Sequence, residues 1–250
     1  MNTNETPGLS VRPIVSFSET PWGLRDLLFG ILFAGIGIVV LNIAALWLDR
    51  FFGVSIQNNN TALMIFVIIQ DLIIVGGAWL FSVVRYHVGW ERLGLRQFDV
   101  AFGCLLSAAL FALSYAIRIC YVIVAMLLGL QLQPQQVIER LDTSVTGFPL
   151  TFLAAAILAP VAEEIFFRGF LYGGLRRRIG VIGAMIASTV FFTALHFSID
   201  VFIPLFFLGL FLAWLYEKTG SLYPGIILHA SNNALALIAL LILQLMDIKL

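Results

Sequence analysis

Runs of about twenty apolar residues recur along the whole chain, and they limit the fold more than any other feature. At 1.5 Å per residue, each run is long enough to cross a bilayer as a helix. Seven are readable, at about 27–48, 61–84, 101–130, 149–174, 180–197, 201–217 and 222–246. The third contains Arg118 and, as one tilted helix, would be roughly 45 Å long. The expected fold is therefore all-α, a polytopic transmembrane helix bundle of about seven spans, or eight if the third run divides. Composition agrees. Only 11% of the 250 residues are charged and 61% are hydrophobic, whereas a soluble domain carries about 25% charged residues. Formal net charge is zero, so no bulk electrostatic argument points to nucleic acid.

Residues 1–26 read as a polar N-terminal tail, with Pro7, Pro13 and Pro21, and with Trp22 and Arg25 marking the approach to the membrane. The tail lacks a basic segment followed directly by an apolar one, so it is not read as a cleavable signal peptide. Residues 27–250 read as one transmembrane domain with its motif core at about 149–246. The clearest non-membrane segments inside it are 90–100 and 131–149. With the N-terminus inside, nine Lys and Arg fall on the inner side and Arg50, Arg140 and Lys249 on the outer. That bias favours a cytoplasmic N-terminus, in what would be a bacterial inner membrane. Cys104 and Cys120 share one apolar run and read as small buried hydrophobes. Arg176 to Arg178 read as a topology anchor facing anionic headgroups.

The fourth run interrupts its own pattern. Glu163, Glu164 and Arg168 lie within six positions of one apolar segment. A charge at mid-membrane costs roughly 2.5–3.5 kcal/mol on insertion scales, so such a cluster is by default a functional-site hypothesis. Glu164 and Arg168 are four apart and share a helix face, where they can pair. Glu163 is rotated about 100° from Glu164 and can point elsewhere. Two of the three histidines also fall in membrane runs: His196 four residues after Phe192, and His229 four before Asn233. His87 reads as an ordinary loop residue. Measured from the cytoplasmic helix ends at Arg176, Gly180 and Leu222, Glu163, His196 and Asn233 lie about 20, 24 and 16 Å deep. His229, at about 10 Å, fits this common depth least well.

Glu163-Glu164-Ile165-Phe166-Phe167-Arg168, then Phe192 to His196, then His229 to Asn233, in that order, resemble the motifs of the CAAX prenyl protease type II family. The wider group is the CPBP (CAAX protease and bacteriocin-processing) intramembrane proteases. The loop ending in Gly94-Leu95 is also similar to the family. The resemblance implies a peptidase acting within the membrane on a peptide or membrane-protein substrate. Glu163 would be the general base, assisted by His196. His229 and Asn233 would face the developing oxyanion, and Glu164 with Arg168 would hold the site together. The chemistry is consistent: hydrolysis needs water activated near neutral pH and donors aimed at the oxyanion.

Two mechanisms are open at this point. Glu163, His196 and His229 are acceptable Zn²⁺ ligands, although the chain lacks the His-Glu-x-x-His helix. A metal-free glutamate mechanism suits the same residues equally. Other classes compete as well. A proton-coupled transporter could use the same groups as a relay, but the chain shows no inverted repeat. A non-catalytic immunity or scaffold membrane protein is the third reading. Asn232 reads as interhelical glue, and Asp71 as the structural partner of Arg118, with a path for water or substrate as the alternative.

Overall fold

The helix ends follow from local chemistry. In the computed structural model, which describes residues 20–53, 56, 59–130 and 147–246, helix α1 runs Leu24–Phe52. Gly23 N donates to Asp26 Oδ2 at 2.9 Å, which caps the start. Gly53, at φ 63°, ends the helix in the left-handed region. Helix α2 runs Asn60–Val84, with Asn59 accepting a bond from Ala62 N at 3.1 Å. A tight turn, Trp90–Leu93, follows. Helix α3, Val100–Leu127, starts on an Asp99 cap. Helix α4 spans Phe148–Ala194, α5 Phe202–Thr219 and α6 Tyr223–Leu245. There is no strand among the described residues, and the expected all-helical membrane bundle holds.

These six helices are long and apolar enough to cross a membrane, against the seven runs expected. The difference lies in α4. Helix continues through 175–179 and resumes directly after a kink, so the runs 149–174 and 180–197 are two helices joined end to end within α4. Its seam is Gly180, at φ 74° and ψ 174°, outside the helical region. The element thus has two arms, 148–179 and 181–194. Run 101–130 stays a single helix, as read. Half of α4's most apolar window is buried inside the protein, against 11–39% for the other five helices. The first arm of α4 is therefore the hub. It packs on α2 and α6, while the second arm packs on α5 and α3 closes the far side against α5 and α6.

Close backbone approach lets the hub form. A Cβ on Gly77 would come 2.9 Å from the Gly30 carbonyl, and one on Gly30 would come 2.5 Å from the Phe170 ring. Helices α1 and α2 cross there on small residues, as membrane helices do where packing replaces the hydrophobic effect. Trp22, read as an interfacial marker, is instead buried. Its Nε1 donates to the Phe170 carbonyl at 3.0 Å. Cys104 and Cys120, read as buried, are exposed on α3, a helix with little protein around it. His87 is an exposed loop residue, as read. The tail before Thr20, most of 131–149, and Arg12, Arg140 and Lys249 lie outside the described residues.

Candidate active site

The first arm of α4 is not a regular α-helix. Pro160 has no N–H to give to residue 156, and the ladder widens to longer bonds at Leu153–Leu158 and again at Glu164–Tyr172. Such widened turns concentrate at functional sites. All nine residues of the second widened stretch are buried, so the arm shows lipid no side there.

Glu164 is fully buried, and its Oε1 accepts two hydrogen bonds. Arg168 Nη1 donates at 3.0 Å and His229 Nδ1 at 3.1 Å. Arg168 also donates from Nη2 to the Gly209 carbonyl at 3.3 Å, and its guanidinium stacks 4.4 Å above the Phe192 ring. These contacts compensate the buried charges only in part, since Glu164 Oε2 and Arg168 Nε are buried without a hydrogen-bond partner among the described residues. Glu163 differs: it keeps 21% of its side chain exposed, and its Oε2 lies 3.6 Å from His229 Nε2. That oxygen has no hydrogen-bond partner among the described residues. His229 thus bridges the two glutamates. Nδ1, at hydrogen-bond distance from Glu164, is assigned the proton, and the more distant Nε2 is turned to Glu163.

His229 was the residue whose depth fitted worst, yet it makes the closest contacts. The depth count took Leu222 as a membrane edge. Ser221 and Leu222 are in fact fully buried and bonded to the loop after α2: Leu222 N donates to the Gly94 carbonyl at 2.9 Å, and Ser221 Oγ to the Arg96 carbonyl at 2.6 Å. Helix α6 therefore begins inside the protein. Gly94 permits this at φ 99°, where a Cβ would also strike the Tyr216 ring at 2.6 Å.

His196 sits one ring away from the glutamates. Phe192 packs edge-on against both imidazoles, with centroids 4.7 Å from His196 and 5.7 Å from His229. His196 Nδ1 donates to the Phe192 carbonyl at 2.9 Å, leaving the Nε2 lone pair outward. Asn233 spends one amide N–H on the Ala155 carbonyl at 2.9 Å, which ties α6 to the first arm. Asn232 is glue as read: its Nδ2 donates to the Leu228 carbonyl, and its Oδ1 accepts from Ser114 Oγ at 3.2 Å.

One reading needs correction. Asp71 and Arg118 do not pair, because α2 packs on the first arm of α4 while α3 lies against α5 and α6. Arg118 instead stacks 5.2 Å over Tyr115. Asp71 is buried, its Oδ2 lacks a hydrogen-bond partner among the described residues, and it lies near enough to Glu163 to feel its charge. It is thus a third carboxylate at the site. Its position on an apolar run was a signal, but its partner could not be read without the packing. The candidate Zn²⁺ set, Glu163, His196 and His229, does not converge as arranged. No three His, Cys, Asp or Glu side chains among the described residues are placed to hold one ion. Zinc needs donors about 2.0–2.3 Å from one point, and Glu163, His196 and His229 do not bring three donors to one. As arranged, these residues do not fit the metal.

Comparison with known proteins bears on the same stretch. The signature of the family described as type II CAAX prenyl endopeptidase Rce1-like matches residues 145–235. Over 94 residues the chain is 28% identical to the Bacillus subtilis (strain 168) protein named "Putative membrane peptidase YdiL". That similarity spans 38% of this chain and 38% of the relative's length. No solved structure matches the chain significantly. The stretch similar to the type II CAAX prenyl endopeptidase Rce1-like family is thus the one that carries Glu163, Glu164, Arg168, His196, His229 and Asn233.

Proposed function

We propose that the chain is an intramembrane endopeptidase that hydrolyses a peptide bond of a membrane-associated or peptide substrate, with Glu163 as its general base. One observation carries the reading. Of two adjacent glutamates, Glu164 is neutralised by Arg168, while Glu163 keeps a partly exposed side chain whose Oε2, buried and without a hydrogen-bond partner among the described residues, lies beside an imidazole. In the reaction, Glu163 takes a proton from water as the water oxygen attacks the scissile carbonyl. His196, its Nδ1–H fixed on a backbone carbonyl, presents Nε2 as an acceptor that orients this water. His229 shares the abstracted proton with Glu163 and, once Nε2 is protonated, donates toward the oxyanion. The amide N–H that Asn233 does not spend on Ala155 is the second oxyanion donor. The proton then passes to the leaving amine, completing hydrolysis without a resident metal. Glu164 and Arg168 position His229 and touch no substrate. A bacterial inner membrane with the N-terminus cytoplasmic suits the distribution of basic residues.

The test uses the full chain in proteoliposomes with a library of membrane-anchored peptides, read by mass spectrometry. Glu163→Gln is expected to lower cleavage by at least about 10²-fold, in line with the loss of a general base, and to leave the protein monodisperse. His196→Ala is expected to lower it as well. If both variants cut as the unsubstituted chain does, the assignment fails at these residues.

A further inference from the structure

A second site lies at the other end of the hub. A cavity of about 590 Å³ opens between the start of α1, the end of α2 and the residues just before the Gly180 seam. Arg25, Arg85, Arg177 and Arg178 line it, against a single acid, Asp26. Asp26 is itself committed, since it accepts from Gly23 N at 2.9 Å and Tyr86 Oη at 2.6 Å and pairs with Arg85 Nε at 2.8 Å. Arg177 uses one N–H on the Thr20 carbonyl at 3.0 Å. Arg25 and Arg178 pair with no acid among the described residues. Arg178 reaches over the α1 N-cap, within 3.2 Å of where a Cβ on Gly23 would stand. The frame is rigid: besides the Trp22 bond to Phe170, Thr20 Oγ1 donates to the Gly173 carbonyl at 3.2 Å.

Three uncompensated positive charges, planar donor forks and a 29-residue helix presenting its N-terminus favour one ligand chemistry. We propose that this cavity binds a phosphate-bearing anion, with the headgroup of an anionic phospholipid as the source the surface favours. Leu24, at the cavity rim, begins an exposed stripe with Leu28 and Leu32, each about half accessible and four residues apart. An acyl chain can follow that stripe down α1 while the phosphate sits among the arginines. A free phosphate would leave the stripe unused. Bound there, the lipid joins α1, α2 and the hub helix at one point.

The test titrates the purified full chain, in neutral detergent, with phosphatidylglycerol, phosphatidylcholine or inorganic phosphate. Binding is read by native mass spectrometry and by thermal unfolding. Phosphatidylglycerol is expected to bind saturably at one site and to raise the unfolding temperature, with phosphatidylcholine at least tenfold weaker. Arg25→Ala/Arg178→Ala removes no ion pair of the fold and is expected to weaken phosphatidylglycerol binding at least tenfold. Arg50→Ala, at the opposite end of α1, is expected to change nothing. If inorganic phosphate saturates the site and the lipid does not, the phosphate chemistry stands and its source is a free anion. Equal binding of both lipids, or undiminished binding by the double variant, overturns the proposal.

Discussion

Removing either charge of the Glu164–Arg168 pair should harm the fold more per charge than removing both. The two side chains are 0% and 1% exposed, with 3.0 Å between Oε1 and Nη1. At an effective dielectric near 20, that separation corresponds to about 5 kcal/mol of attraction, and breaking a buried pair from one side costs about 3–5 kcal/mol. Glu164→Gln keeps an acceptor for His229 Nδ1, and Glu163 still attracts the stranded guanidinium. Its cost should fall near 3 kcal/mol, the low end of that range. Arg168→Met strands two neighbouring carboxylates. It also loses the bond to the Gly209 carbonyl and the stack on Phe192, the latter worth about 2 kcal/mol when desolvated. Its cost should reach about 5 kcal/mol. The double variant loses the same contacts but leaves neither member of the pair alone, so it should cost about 3–4 kcal/mol, well short of the sum. Equilibrium unfolding of the four proteins in mixed micelles measures the cycle. Additivity within about 0.5 kcal/mol would refute the pairing as the source of stability.

Three further outcomes follow from the packing. Gly169→Ala would push a Cβ to 2.5 Å from the Leu93 carbonyl, while Gly35 has nothing within 4 Å. Unfolding measurements should therefore show a loss of about 1–3 kcal/mol for Gly169→Ala and none for Gly35→Ala; equal effects would contradict the close approach of the hub helix to the Leu93 carbonyl. Asp71→Asn removes a like charge from beside Glu163 and should raise the unfolding temperature, since functional sites give up stability; a marked decrease counts against Asp71 as a strained third carboxylate. Phe192→Leu removes the ring under Arg168 and both imidazoles. It should cost about 2–3 kcal/mol in stability by the same assay, and a neutral result would show that the ring does not hold the site.

The sequence makes the helices legible because lipid leaves so few alternatives, and the resemblance of the three motifs is matched by the family signature over 145–235. The Glu164–Arg168 pair is readable for a local reason, since a spacing of four on one helix needs no knowledge of packing. Contacts between helices are less accessible. His229 looked too shallow because depth counted along α6 assumed that the helix starts at the membrane edge, whereas Ser221 and Leu222 are already inside. Asp71 and Arg118 looked like partners because each was a lone charge in an apolar run, yet the packing order sends α2 and α3 to different neighbours. Trp22 and the two cysteines were misplaced because composition reports preference for an apolar setting without distinguishing protein from lipid. The widened stretch at Glu164–Tyr172 has one visible antecedent, Pro160, which frees a backbone acceptor but does not indicate how far the widening runs.

The arrangement of bonds around Glu164 also has a meaning in time. Its bond to Arg168 lies within a single helix, so it can form as soon as that stretch of chain is made and enters the membrane. Its bond to His229 waits for a residue 65 positions later, roughly 3–13 s of synthesis at 5–20 residues per second. During that interval the nascent hub helix carries a neutralised Glu164 and an unpartnered Glu163. The intrahelical pair is then an escort for biosynthesis, lowering the cost of inserting the segment before α6 exists, and the histidine completes the site only once α6 has been made.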